Sequence, residues 1–160
     1  YAARTTTPKY VPLNITSNAI TLDGDIQLIL RFVGDVHTIH ENFDFVHATS
    51  YYTNRYGLIL NKPALECILA KELKYNSSKY PLCAMFRLKK FIKRGWTITA
   101  GEMFKIGYDI SKLDLDNIEV LEDQLTGVDQ AYFQEVIRKL KEQDRELDRT
   151  YLFEMINRVF

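Results

Sequence analysis

The chain has 160 residues, with 21 basic against 21 acidic side chains and no formal net charge. That length can bury a respectable core, which excludes a mini-protein dependent on disulfide or metal staples. The charge balance excludes a global basic field of the kind that draws proteins to nucleic acid, and leaves only a local patch for such work.

Residues 1 to 15 read as an extended lead-in, with Pro8 and Pro12 each blocking helix through the preceding residue. The chain opens "YAARTTT" without Met, which raises the expectation of a missing upstream stretch. "NAITLDGDIQLILRFV" gives two β-rich runs around Asp23-Gly24-Asp25, the residues of a tight hairpin turn, and turn geometry accounts for both acids. "GDVHTIHENF" follows as a short helical connector. "FDFVHATSYY" reads as a third strand, and "TNRYG" closes a second hairpin into "LILN".

Composition then turns helical. "KPALECILAKELKY" places Pro63 near a helix start and Leu65, Ile68, Leu69 and Leu73 on an apolar stripe. "YPLCAMFRLKKFIKRG" repeats the device with Pro81 at the start and Gly95 as a stop. Thr99 with Glu102 and Asp116 with Glu119 have the spacing of capping boxes. "DQAYFQEVIRKLKEQDREL" patterns as a long amphipathic helix, and the tail from Asp148 patterns as helix too. The expected class is α+β: a small antiparallel or mixed sheet over about residues 17 to 61, then a helical domain of four to six helices. The expected organisation is a lead-in at 1–15, a sheet at 16–61 and a helical domain at 62–160.

Cys67 and Cys83 sit in apolar surroundings without CxxC spacing and read as buried free thiols of a reducing compartment. No apolar run approaches the roughly 20 residues of a membrane span, and no signal-peptide pattern opens the chain. His37, His40 and His47 share no accepted zinc spacing with a further ligand, so the plain reading is a connector pair plus one strand histidine. No GxSxG, phosphate-binding loop or dinucleotide fingerprint is present.

Two features carry candidate chemistry. Strand alternation would put Phe43, Phe45 and His47 on one face and Asp44, Val46, Ala48 and Ser50 on the other, so that small neighbours leave room beside the Asp44 carboxylate. A solvated strand acid is the plain alternative. In "FRLKKFIKRGW", Arg87, Lys90 and Arg94 share a helix face with Lys93 beside it, which suits phosphate contacts; a solvated face paired with acids elsewhere is the competing reading.

The segment "RLKKFIKRGWTI" supplies Arg87, Lys90, Phe91, Lys93 or Arg94, Gly95, Trp96 and Ile98. In that order it resembles the Arg-rich helix of the polymerase-beta-type nucleotidyltransferases, in particular the poly(A) polymerase and CCA-adding branch, with Lys90 replacing an Arg of the pattern. Through "FDFVHATSYY", "YPLCAMFR" and "VLEDQLTGVD" the chain also resembles uncharacterised bacteriophage proteins placed in that superfamily. The resemblance implies Mg²⁺-dependent nucleotide transfer, with Asp44 as one of three metal carboxylates and Arg87, Lys90, Lys93 and Arg94 contacting nucleotide or nucleic acid. The other two carboxylates of the family have no match here. The resulting expectation is the C-terminal portion of a phage nucleotidyltransferase-like protein, inactive alone unless completed by an N-terminal segment or another phage protein, with no membrane role and a place in the host cytoplasm. The alternatives are a catalytically inactive structural or virion-associated phage protein, and a nucleic-acid-binding module.

Overall fold

The computed structural model describes residues 10–16, 18–125 and 149–159. The fold is α+β, with small antiparallel sheets and, among the described residues, six α-helices. The chain divides into two compact units, Tyr1–Ile39 and His40–Phe160. The first nine residues and the long helix expected around 129–147 lie outside the described residues.

The first unit is built on a three-stranded antiparallel sheet in the order β1 (Pro12–Ile15), β2 (Ala19–Leu22), β3 (Ile26–Ile29). Pro12–Ile15, expected as extended lead-in, is thus a paired strand. The turn forms as its residues dictate: Leu22 pairs with Ile26 across Asp23-Gly24-Asp25, where Gly24 (φ 74°) and Asp25 (φ 60°) take the left-handed backbone that Gly and Asp tolerate best. Asp23 also fastens the neighbouring strand, since Oδ1 accepts from the Val11 N–H (2.8 Å) and its own N–H donates to the Val11 carbonyl (2.9 Å). No atom stands within 4 Å of a Cβ built at Gly24. Gly24→Val is therefore expected to cost only the backbone term, about 1–2 kcal/mol, seen as a lower midpoint in a denaturant titration followed by circular dichroism. A short helix, α1 (Val36–His40), follows, and Asp35 accepts from the Thr38 N–H at its start (2.9 Å).

In the second unit the expected hairpin forms from β4 (Tyr51–Thr53) and β5 (Gly57–Ile59), closed by the Tyr56 N–H donating to Thr53 Oγ1 (3.0 Å) and by Gly57 at φ 71°. Helix α2 (Lys62–Ala70) has Pro63 in its first turn, near the start as expected, but ends sooner. Lys71 takes the left-handed conformation (φ 49°), and Glu72–Leu73 becomes β6, paired in parallel with β7 (Thr97–Ile98). The apolar stripe expected through Leu73 is corrected accordingly: α2 buries Ala64 and Cys67, while Ile68 and Leu69 face outward.

Helix α3 (Pro81–Lys93) runs from Pro81 to the stop at Gly95 (φ 82°), as its sequence predicts. It serves two cores. Ala84 and Leu88 join Phe45, Leu73, Tyr75 and Ile106, with Phe91, Trp96, Ile98 and Ile110 packed against them. Its other side sets Leu82 and Phe86 against Leu121, Leu125 and Leu152, and Cys83 Sγ donates to the Gln124 carbonyl (2.8 Å).

The two capping boxes are half right. Thr99 does accept from the Glu102 N–H at the start of α4 (Ala100–Ile110), but Glu102 turns its carboxylate to the Tyr75 N–H (2.7 Å) and to Lys105 (2.6 Å). At α5 (Ile118–Leu125) the side chain that takes the Glu119 N–H is Asn117 (2.9 Å), one residue beyond the Asp116 that spacing favoured. The last described element is α6 (Arg149–Val159).

Candidate functional site

Asp44 does not lie in a strand. Between Phe43 and Ser50 the backbone makes a single bridge at Phe45 and then one 3₁₀ turn, Val46–Ala48, before β4 begins. The alternation expected there fails because the segment is held from outside by "KYNSSKY" at 74–80. The Val46 N–H donates to the Lys74 carbonyl (3.0 Å), and the Asn76 N–H donates to the Asp44 carbonyl (2.9 Å), on either side of the Phe45–Tyr75 bridge. Asn76 Nδ2 reaches the carbonyls of His40 (2.9 Å) and Phe43 (3.2 Å), and Ser77 Oγ donates to that of Glu41. The two segments form a polar clasp over the aromatic core.

The Asp44 side chain sits at the centre of this clasp. Ser78 Oγ donates to Oδ1 (2.7 Å), and the Arg87 guanidinium from α3 donates to Oδ2. The carboxylate is 8% exposed and the Arg87 side chain 38%, so the pair is buried on the acid side only. Both oxygens therefore have charge-assisted or hydroxyl partners, which is how a buried carboxylate is kept at low cost. Among the described residues no three His, Cys, Asp or Glu side chains gather to hold a metal ion.

The four basic residues singled out in "RLKKFIKRG", Arg87, Lys90, Lys93 and Arg94, do not act as one stripe. Arg87 turns to Asp44, Lys90 and Lys93 lie exposed in the last turn of α3, and Arg94 follows as the residue that caps the helix. Cations in that last turn complement the negative end of the helix dipole. Phe91 and Trp96 point the other way, into the core, with ring centroids 5.6 Å apart.

Three residues that sequence reasoning passed over complete the surroundings. Tyr75 donates its hydroxyl to Asp109 Oδ2 (3.1 Å), and Lys112 holds Asp109 Oδ1 (2.8 Å). Burial, and then the Asp109 charge, push the Tyr75 hydroxyl well above its ordinary pKa, while the Lys112 hydrogen bond holds Asp109 below its own. The only signal in the sequence was Asp109 three residues before Lys112, a common surface spacing.

His47 lies among aromatic rings, with centroids 4.8 Å from Phe91, 4.7 Å from Trp96 and 6.1 Å from Phe45, and its buried Nδ1 has no hydrogen-bond partner. Burial lowers its pKa from 6.5. A depressed folded-state pKa means that stability is full above about pH 6.5 and is lost as pH falls through the folded value. We expect the wild-type midpoint in urea to drop on acidification below that pH, and His47→Phe to remove part of the drop; an unchanged pH profile would contradict a half-buried imidazole that resists protonation.

Comparison with known proteins gives two findings. A family model described as "Gabija anti-defense 2 family protein" matches residues 3–71. A curated protein of Bacillus phage SPbetaL7, "Gabija anti-defense 2", is 26% identical over 125 residues, covering 76% of this chain and 31% of that protein. The chain thus spans about a third of the length of the curated relative it matches. No solved structure matches.

These findings overturn the polymerase-beta resemblance. Both point to a phage anti-defense family and neither to a nucleotidyltransferase, so the reading as a fragment of such an enzyme is withdrawn. Neither finding favours a virion structural protein or a nucleic-acid-binding module. The geometry shows why the motif misled. Gly95 ends a helix, Phe91 and Trp96 fill a core, and Arg87 neutralises a buried acid, so ordinary folding demands produce the same string of residues.

Proposed function

We propose that this chain is part of a bacteriophage product that counters Gabija defence inside the infected host cell. The observation that supports this reading most strongly is the family-model match over residues 3–71, which takes in the sheet of the first unit and, in the second, Asp44, the β4–β5 hairpin and α2. The similarity to the SPbetaL7 protein extends over a longer stretch of the chain. In the clasp, Asp44 belongs to the matched stretch while Ser78 and Arg87 lie beyond it, so α3 supports the matched stretch from outside. Among the described residues no helix is long and apolar enough to cross a membrane.

The test is a plating assay on bacteria that carry Gabija and on matched bacteria that lack it. Two proteins are expressed in turn: this chain, and the SPbetaL7 protein with its similar region replaced by this chain. The expected result is that a Gabija-sensitive phage plates on the defended host nearly as well as on the undefended one when either protein is present. Failure of both, with both accumulating as folded protein, would overturn the proposal.

A further inference from the structure

Among the described residues, β3 pairs with β2 and with no other strand, so one side of its backbone is a sheet edge. The ladder fixes which residues line it. Leu30 donates its N–H to the Asn18 carbonyl (2.8 Å). By the two-residue period of antiparallel pairing, Leu28 and Ile26 also turn their peptide groups to β2, while Gln27 and Ile29 turn theirs outward. Natural sheets protect such an edge with proline, a bulge or an inward charge. The opposite edge has two of these, Pro12 and a register shift between Pro12 and Asn14. β3 has neither: "IQLIL" carries no proline or charge, and Leu28, Ile29 and Leu30 are 48%, 52% and 49% exposed.

We propose that β3 pairs antiparallel with β3 of a second copy of this chain, about a two-fold axis at Leu28. The charge pattern selects this occupant. Asp25, in the turn before β3, and Arg31, in the bend after it, stand equally far from Leu28 on either side, so the two-fold brings Asp25 of each copy to the end of the paired strands where Arg31 of the other lies. The same register puts Gln27 opposite Ile29, joining the outward peptide groups, and Ile26 opposite Leu30 on the face that Leu28 shares. Centring the pair on Gln27 or Ile29 would also align outward groups, but it would set Asp25 against Ile29 or Val33. Arg31 gives one N–H to Asn18 Oδ1 (2.9 Å), and a guanidinium has five donors, enough to serve that amide and a carboxylate together.

The test uses the 160-residue chain and does not depend on the Gabija reading. Sedimentation over a range of concentrations should show a monomer–dimer equilibrium. Asp25→Asn and Arg31→Gln, each checked for folding by circular dichroism, should weaken it on the order of tenfold, because each removes both symmetry-related charge pairs. Leu28 would face its own copy across a non-hydrogen-bonded pair, where Cα atoms are about 4.5 Å apart and a disulfide can close. Ile26 would lie about 14 Å from Ile26 of the other copy, four residues along the strand. Oxidation should therefore cross-link Leu28→Cys quickly and Ile26→Cys hardly at all. A chain that stays monomeric at every concentration, leaving the edge to some other strand, overturns the proposal, as does equal cross-linking at both positions or a dimer indifferent to Asp25→Asn.

Discussion

Replacing Ile106 with Ala should destabilise the second unit by about 2–5 kcal/mol, the cost of deleting buried methyl groups and leaving a cavity. Ile106 is 1% exposed, and it shares a core cluster with Leu73, Ala84, Leu88 and the bridged pair Phe45 and Tyr75. The single tryptophan of the sequence, Trp96, packs against this cluster, so its fluorescence reports the loss directly in a urea titration. Leu69→Ala is the comparison. Leu69 is equally apolar but 86% exposed on α2, and its loss should stay within about 0.5 kcal/mol. Equal costs at the two positions would show that the core is not where the packing places it.

The second large effect is expected at the Asp44–Arg87 pair. Removing one partner of a buried pair typically costs about 3–5 kcal/mol, because the other charge stays buried and unpaired. Here Arg87 is partly exposed and Ser78 remains on Oδ1, so Arg87→Ala should cost less, roughly 2 kcal/mol. The double variant Asp44→Asn with Arg87→Ala should be more stable than the sum of its singles predicts, by on the order of 1 kcal/mol. Additive singles would mean that the guanidinium is not what keeps the carboxylate in the clasp.

The sequence made the first unit largely readable because its rules are local. Asp23-Gly24-Asp25 needs nothing beyond its own φ angles to make a turn, and Pro63, Pro81 and Gly95 bound their helices for equally local reasons. The segment around Asp44 was misread because its structure is imposed from 30 residues away. Phe45 and Val46 are paired with Lys74 and Tyr75, and a strand-like composition is overridden when the only bridge on offer is one residue long. Leu73 shows the same in reverse: it continues the helical pattern of α2, yet pairing with Ile98 takes it into a parallel strand.

The candidate site divides along the same line. Asp44 and Arg87 were each singled out, but separately, as a metal ligand and a phosphate contact; no spacing rule joins a loop acid to a helix arginine 43 positions on. Ser78 and Asn76 stayed hidden, and Glu102 was read only as a helix cap, because their partners are backbone groups or distant side chains. The basic-aromatic string at 87–98 was the clearest motif in the chain and the least informative about function, since each of its marked residues also has a folding task.

The most direct test of the account is whether counter-defence is specific to Gabija. The chain, alone or within the SPbetaL7 protein, would be expressed in one host carrying Gabija and in another carrying an unrelated defence, and phage plating compared on each. Rescue of plating on the Gabija host alone, reduced by Arg87→Ala in step with its loss of folded protein, is the result predicted. Equal rescue on both hosts, or none on either with the folded protein present, would contradict it.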